Sequence, residues 1–138
     1  MNQKVNLDKT GRFRIGDVIH EVFHSLGRYH EQSRNDRDDH IAINFDNIEE
    51  RYRSQFQVRS PTDLTFNVPY DLNSIMHYPG IAFSSNGRVV INANDRNFQS
   101  NMGQSGDATL KDYQQLNRAY CESEVIRHMH SFFVIIEN

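Results

Sequence analysis

The sequence predicts one domain of the α+β class. Three observations carry that expectation. Apolar residues recur with a helical period across Ile15 to Leu26, and again from Leu110 to Tyr120. Between these segments lie short stretches of strand character, Ile41 to Phe45 and Gly87 to Ile91, set among turn-rich loops. A chain of 138 residues is long enough for one domain with a modest core.

Residues 1–13 are polar, with a Val5/Leu7 alternation that fits the end of a strand. Ile15, Val18, Ile19, Val22, Phe23 and Leu26 then fall at i, i+3, i+4, i+7, i+8 and i+11, the pattern of an amphipathic helix with a firmly buried face. Asp17 suits the positive end of its dipole, and Gly27 offers the left-handed conformation that ends a helix. The charged run Arg34 to His40 reads as a solvated loop. Asp46 and Glu49 read as an N-cap and its partner, and Ile48, Tyr52 and Phe56 follow at helical spacing, which predicts a helix from about Asn47 to Phe56. Ser60 to Asp63 reads as a turn and Leu64 to Val68 as a short extended piece ended by Pro69. Residues 92–107 read as loop. Thr109 with Asp112 opens the last helix, which carries Leu110, Tyr113, Leu116 and Tyr120 on one face. From Glu122 onward the pattern assigns no structure.

Composition excludes several classes of function. The net charge of -3 leaves no basic footprint, so no nucleic-acid partner is expected. A hydrophobic content of 37 % and a mean hydropathy of -0.73 fit a water-soluble domain. The longest apolar run, Phe132 to Ile136, is far too short for a membrane span. Met1 to Lys4 carries no signal-peptide apolar region. Cys121 is the single cysteine, so the chain forms no internal disulfide.

The chemistry concentrates in His20-Glu21-Val22-Phe23-His24-Ser25-Leu26-Gly27-Arg28-Tyr29-His30. His20 and His24, four apart on a helix, share one face and are placed to bind one metal ion. The next positions on that face offer no imidazole, but a turn at Gly27 can bring His30 back to the same ion. Three neutral imidazoles and an open fourth position describe a catalytic zinc site rather than a closed structural one. Glu21, slightly round the helix, takes the place of a general base acting on metal-bound water. The His128-x-His130 pair in the tail is a compositional hint only.

His20-Glu21-x-x-His24-x-x-Gly27-x-x-His30 resembles the metzincin zinc signature. Its continuation, Glu31-x-x-Arg34-x-Asp36-Arg37-Asp38, resembles that of the astacin family of zinc endopeptidases, and Ser74-Ile75-Met76-His77-Tyr78 is similar to that family's Met-turn. The resemblance runs from about Val5 to Cys121. It implies a zincin-like fold, represented mainly by the C-terminal subdomain with the zinc helix, the Met-turn and a final helix. Residues 1–121 then form a partial peptidase domain with most of the N-terminal sheet absent, and residues 122–138 a tail. It implies one zinc ion per chain held by His20, His24 and His30, with Tyr78 as an additional ligand that leaves the metal to stabilise an oxyanion. It implies Glu21 as catalytic base, Met76 as the apolar floor beneath the histidines, and Glu31 as the carboxylate that meets a processed N-terminus. Peptide or protein substrates and a secreted location follow from the same resemblance. Gly11-Arg12 stands where the family usually has Gly-Cys, and only about a dozen residues precede the zinc helix. The alternative expectation is therefore a remnant that binds zinc without catalysis.

Overall fold

A computed structural model describes residues 14–60 and 65–121. Two α-helices, α1 (Ile15–Ser25) and α2 (Leu110–Tyr120), flank a two-stranded antiparallel ladder of β1 (Ile41–Ile43) and β2 (Ile91–Ala93). The register pairs Ile41 with Ala93, Ala42 with Asn92 and Ile43 with Ile91. Short 3-10 turns at Glu31–Ser33, Arg37–Asp39, Phe45–Asn47, Glu50–Phe56 and Arg96–Phe98 supply most of the remaining local order. This is the α+β composition expected, with α1 carrying His20 and His24 and the ladder anchoring one core. No helix among the described residues is long and apolar enough to cross a membrane.

Helix α1 starts where the Asp17 carboxylate accepts the Arg14 N–H at 2.8 Å. It stops at Gly27, whose φ of 83° lets the Gly27 N–H reach His24 O and the Arg28 N–H reach Phe23 O, both at 2.9 Å. That pair of bonds is a Schellman closure, and it satisfies carbonyls that the helix end would otherwise orphan. Helix α2 starts on the Thr109–Asp112 capping box that its sequence announces.

Two apolar clusters form. Around the ladder lie Ile41, Ile48, Phe56, Tyr70, Val90, Ile91, Ala93 and Met102. Between the helices lie Phe23, Ile75 and Met76, with Ile19, Ala108 and Leu116 packed against them.

The structure corrects several expectations. The buried face of α1 is narrower than its apolar arc. Phe23 is buried, but Ile15, Val22 and Leu26 are exposed, because α1 meets the other described residues along the Gly16–Ile19–Phe23 line. A side chain on Gly16 would collide with the Ser105 carbonyl, and that close approach sets the helix azimuth. On α2 the apolar face is only partly covered: Leu116 packs against Phe23, Ile75 and Met76, and Tyr113 meets the Phe23 ring edge-on. Leu110, Tyr113 and Tyr120 are exposed while Asp112 and Gln115 are buried, because the inward side of α2 faces polar donors, namely Arg28 and the backbone at Ile75.

The helix expected over 47–56 is instead two 3-10 turns. The Asn44 side chain, not Asp46, caps the first by accepting the Asp46 N–H. Ile48 bridges to Ser84 and the Glu49 N–H goes to Phe83 O, which takes these backbone groups out of helical bonding. The Arg34–His40 run is not a solvated loop. Arg37 is buried and donates to Gln32 O and Phe56 O, and Arg34 donates to Glu31, Asp36 and Val68 O. The extended piece near Val68 is a turn in which Phe66 and Asn67 take positive φ. The second strand lies at Ile91–Ala93 rather than 87–91, since the N–H groups of Val90 and Ile91 are both drawn to Gly80 O. The Val5/Leu7 alternation, Pro61 to Leu64 and the tail from Glu122 lie outside the described residues.

Phe56 is 1 % exposed and joins the ladder core to the rings of Tyr78 and Phe83. Phe56→Ala should therefore cost about 3–5 kcal/mol, read as a lowered denaturant midpoint at unchanged slope.

Candidate metal centre

Histidines 20 and 24 stand one turn apart on α1, and the closure at Gly27 reverses the chain so that His30 returns beside them. Their ligating nitrogens all lie within 4.8 Å of one another. The His24–His30 ring centroids are 4.5 Å apart and the His20–His24 centroids 4.7 Å. His20 Nδ1 pairs with Ile75 O at 2.7 Å, and His24 Nδ1 pairs with Arg28 O at 2.8 Å. A carbonyl only accepts, so each Nδ1 carries the proton and each Nε2 presents a lone pair.

The Nε2 atoms of His24 and His30 are 3.2 Å apart. Two imidazole nitrogens at about 2.0–2.1 Å from one tetrahedral zinc would be separated by roughly 3.3 Å. The three imidazoles thus fit zinc in chemistry, and the His24–His30 pair fits it in spacing. The carbonyls holding the Nδ1 protons supply the outer contacts that orient ligand rings. Burial, with the neighbouring His24 and His20 rings, pushes His30 down to about 3, so its lone pair stays available well below neutral pH.

Glu21 follows His20 on α1, about 100° round the helix, and is half-buried. Tyr78 lies with its ring centroid 4.3 Å from that of His30. Burial pushes its phenol up, so it remains a hydrogen-bond donor. Met76 is fully buried against Phe23 and Ile75, beneath the histidine helix. The carboxylate of Glu31 is 1 % exposed and is met by Arg34 at 2.9 Å, Arg28 at 3.3 Å and the Asp71 N–H at 3.0 Å. The structure therefore brings together His20, His24 and His30, with the Tyr78 ring against His30 and Glu21 next to His20 on α1. His128 and His130 lie outside the described residues.

Sequence reading missed the supports. Gln32 Oε1 accepts the Tyr78 N–H at 3.1 Å. His77 Nδ1 pairs with Tyr78 O at 2.8 Å, and Tyr70 Oη donates to His77 Nε2 at 2.8 Å. Burial lowers His77 to about 4, which keeps that ring a neutral acceptor for the phenol. Gln32 and Tyr78 are 46 residues apart, and no local pattern announces such a contact.

Comparison with known proteins agrees with this geometry. The family model described as Astacin, a peptidase family, matches residues 1–121. Zinc metalloproteinase nas-34 of Caenorhabditis elegans is 44 % identical over 110 residues, covering 79 % of this chain and 18 % of that protein. Protein SpAN of Strongylocentrotus purpuratus is 41 % identical over 107 residues, covering 77 % and 17 %. Among solved structures, high choriolytic enzyme 1, a hatching enzyme zinc-protease from the medaka Oryzias latipes, is similar at a TM-score of 0.68 and 37 % identity, over 74 % of this chain and 50 % of that one. The chain thus spans about half of that solved structure and about a fifth of these curated relatives.

Two expectations follow. Wild-type chain should take up close to one equivalent of zinc, and His24→Ala should remove uptake in a chelator-competition titration; an unchanged zinc content would break the ligand assignment. The metal-free chain should lose stability on acidification. His30 and His77 are depressed to about 3 and about 4 in the fold, whereas unfolded imidazoles protonate near ~6.5. Protons thus bind the unfolded chain first. Stability should be intact above about pH 6.5 and fall as pH drops toward 3, seen as a falling melting temperature across that window.

Proposed function

The chain belongs to the astacin family of peptidases, and on that premise we propose that it is a zinc-dependent endopeptidase unit acting on peptide or protein substrates. The observation that carries this reading is the convergence of the three histidine donor atoms, two of them on the helix that also carries Glu21. His20, His24 and His30 hold one zinc, and Tyr78 is its additional protein ligand. The catalytic unit is residues 1–121, and the tail 122–138 lies outside it. Relatives named as a hatching enzyme and as zinc metalloproteinases support an extracellular setting.

Zinc, when bound, supplies Lewis-acid activation of water and of the scissile carbonyl. The residues of the chain do the rest. Glu21 accepts the proton released as water adds to the carbonyl carbon, and then passes it to the leaving amine nitrogen as the C–N bond breaks. The Tyr78 hydroxyl donates to the carbonyl oxygen as it gains negative charge. The Nδ1 contacts to Ile75 O and Arg28 O hold the His20 and His24 rings fixed meanwhile. Met76 packs beneath the helix and excludes water from that side.

Glu21→Gln should keep zinc and lose hydrolysis of an unstructured protein substrate by on the order of 10²–10⁴. The amide still binds water but accepts no proton. Tyr78→Phe should keep zinc through the three histidines and lose roughly 10²–10³. Wild-type turnover in Glu21→Gln would overturn the mechanism. A wild-type chain that binds zinc with no chelator-sensitive cleavage would favour the non-catalytic zinc-binding form.

A further inference from the structure

We infer that Ser74 and Asp112 are positioning residues for the zinc ligand His20, acting through the Ile75–Met76 peptide. The inference rests on the reading of His20 as a zinc ligand and extends it to residues on two other segments of the chain.

The contacts run in series. Ser74 Oγ donates to Asp112 Oδ1 at 2.6 Å. The same hydroxyl oxygen accepts the Met76 N–H at 3.0 Å. That N–H belongs to the Ile75–Met76 peptide, whose carbonyl, Ile75 O, accepts from His20 Nδ1 at 2.7 Å. The sequence is carboxylate, hydroxyl, peptide, imidazole, with every donor pointing the same way. Each donation polarises the next, so the negative charge on Asp112 reaches the His20 ring through three hydrogen bonds. A metal-bound imidazole commonly gives its second N–H directly to a carboxylate or carbonyl. Here a carbonyl receives it, with a buried carboxylate standing behind.

Burial makes the chain a strong one. Ser74 is 0 % and Asp112 1 % exposed. Asp112 also accepts from the Ile75 N–H at 3.1 Å, from the Thr109 N–H at 3.0 Å and from Arg28 Nη2 at 3.3 Å. Its helix-capping role alone needs only Thr109. The additional bonds fall on the turn that receives His20. The other ligand on α1 differs, because His24 Nδ1 ends on Arg28 O, a carbonyl with no such relay behind it among the described residues.

The test uses the whole chain and two readouts. Zinc affinity is measured by competition with a chromophoric chelator, and the ring nitrogens of His20 and His24 are followed by NMR in ¹⁵N-labelled protein. Ser74→Ala breaks the series while the Ile75 N–H keeps its bond to Asp112. Asp112→Asn keeps the shape and removes the charge. Each should weaken zinc binding by roughly 10–100-fold and shift His20 Nδ1 while leaving His24 Nδ1 in place. Ile41→Val, buried in the other core, controls for general loosening and should lower the melting temperature without moving either readout. If Ser74→Ala fails to fold, Asp112→Asn decides by the same readouts. Wild-type affinity in the variants, or equal shifts at His20 and His24, would overturn the inference while leaving the zinc site standing. A wild-type chain that takes up no zinc would overturn the proposed function and this inference together.

Discussion

The turn at Ser74–Met76 is the constraint on which the rest of the site depends. Its successive carbonyls receive the two segments that carry the converging histidines. Ile75 O takes His20 Nδ1 at 2.7 Å, and Met76 O takes the Glu31 N–H, next to His30, at 2.9 Å. One turn therefore registers α1 against the returning 30–31 segment. Residues 74 to 77 are all buried, so any of these groups left unpaired would cost about 1–3 kcal/mol. A shift of the turn would break both contacts together, and for that reason the three imidazoles hold one mutual geometry.

The turn is itself held by charge. Asp112 from α2 and Glu31 share Arg28, and Glu31 also meets Arg34. All four side chains are largely buried. Buried ion pairs add little net stability, because desolvation opposes the Coulomb gain. Removing one partner is costly, because it strands the other. The network thus penalises any alternative docking of α2 more than it rewards this one. Its effect is to define register between helix and turn, while the apolar clusters around Phe56 and Met76 supply the driving force.

Local signals are legible where a residue's partners lie within a few positions. The α1 helix, its end at Gly27, the Thr109–Asp112 cap and the convergence of His20, His24 and His30 are of this kind. Each depends on helical period, on a cap or on one glycine's conformational freedom. Elements decided by distant partners read wrongly. Periodicity puts Leu110, Tyr113, Leu116 and Tyr120 on one face of α2 but gives no sign that Asp112 and Gln115 are buried, where contacts with residues 28, 74 and 75 outweigh hydrophobicity. Arg34 and Arg37 read as solvated because nothing local shows that Val68 O and Phe56 O stand ready to accept them. Ser74 reads only as the first residue of the Met-turn motif, and Asp112 as a cap alone, for the same reason.

Convergent imidazoles carry an electrostatic consequence for folding. His20 and His24 each commit a proton outward to a carbonyl, so their lone pairs face one another and His30 across a small space. Without a metal, the His24 and His30 Nε2 atoms, 3.2 Å apart, lie within hydrogen-bonding distance of each other. The Gly27 closure and the Ser74–Met76 turn hold the two segments from outside. A divalent cation at the point of convergence would replace that contact by coordination. The unfolded chain has no preformed set of three nitrogens, so the gain belongs to the folded state. On the proposed reading, the contacts that orient the three imidazoles would couple metal uptake to the docking of α2. The register of α2 against the turn and the geometry of the histidines rest on one set of bonds.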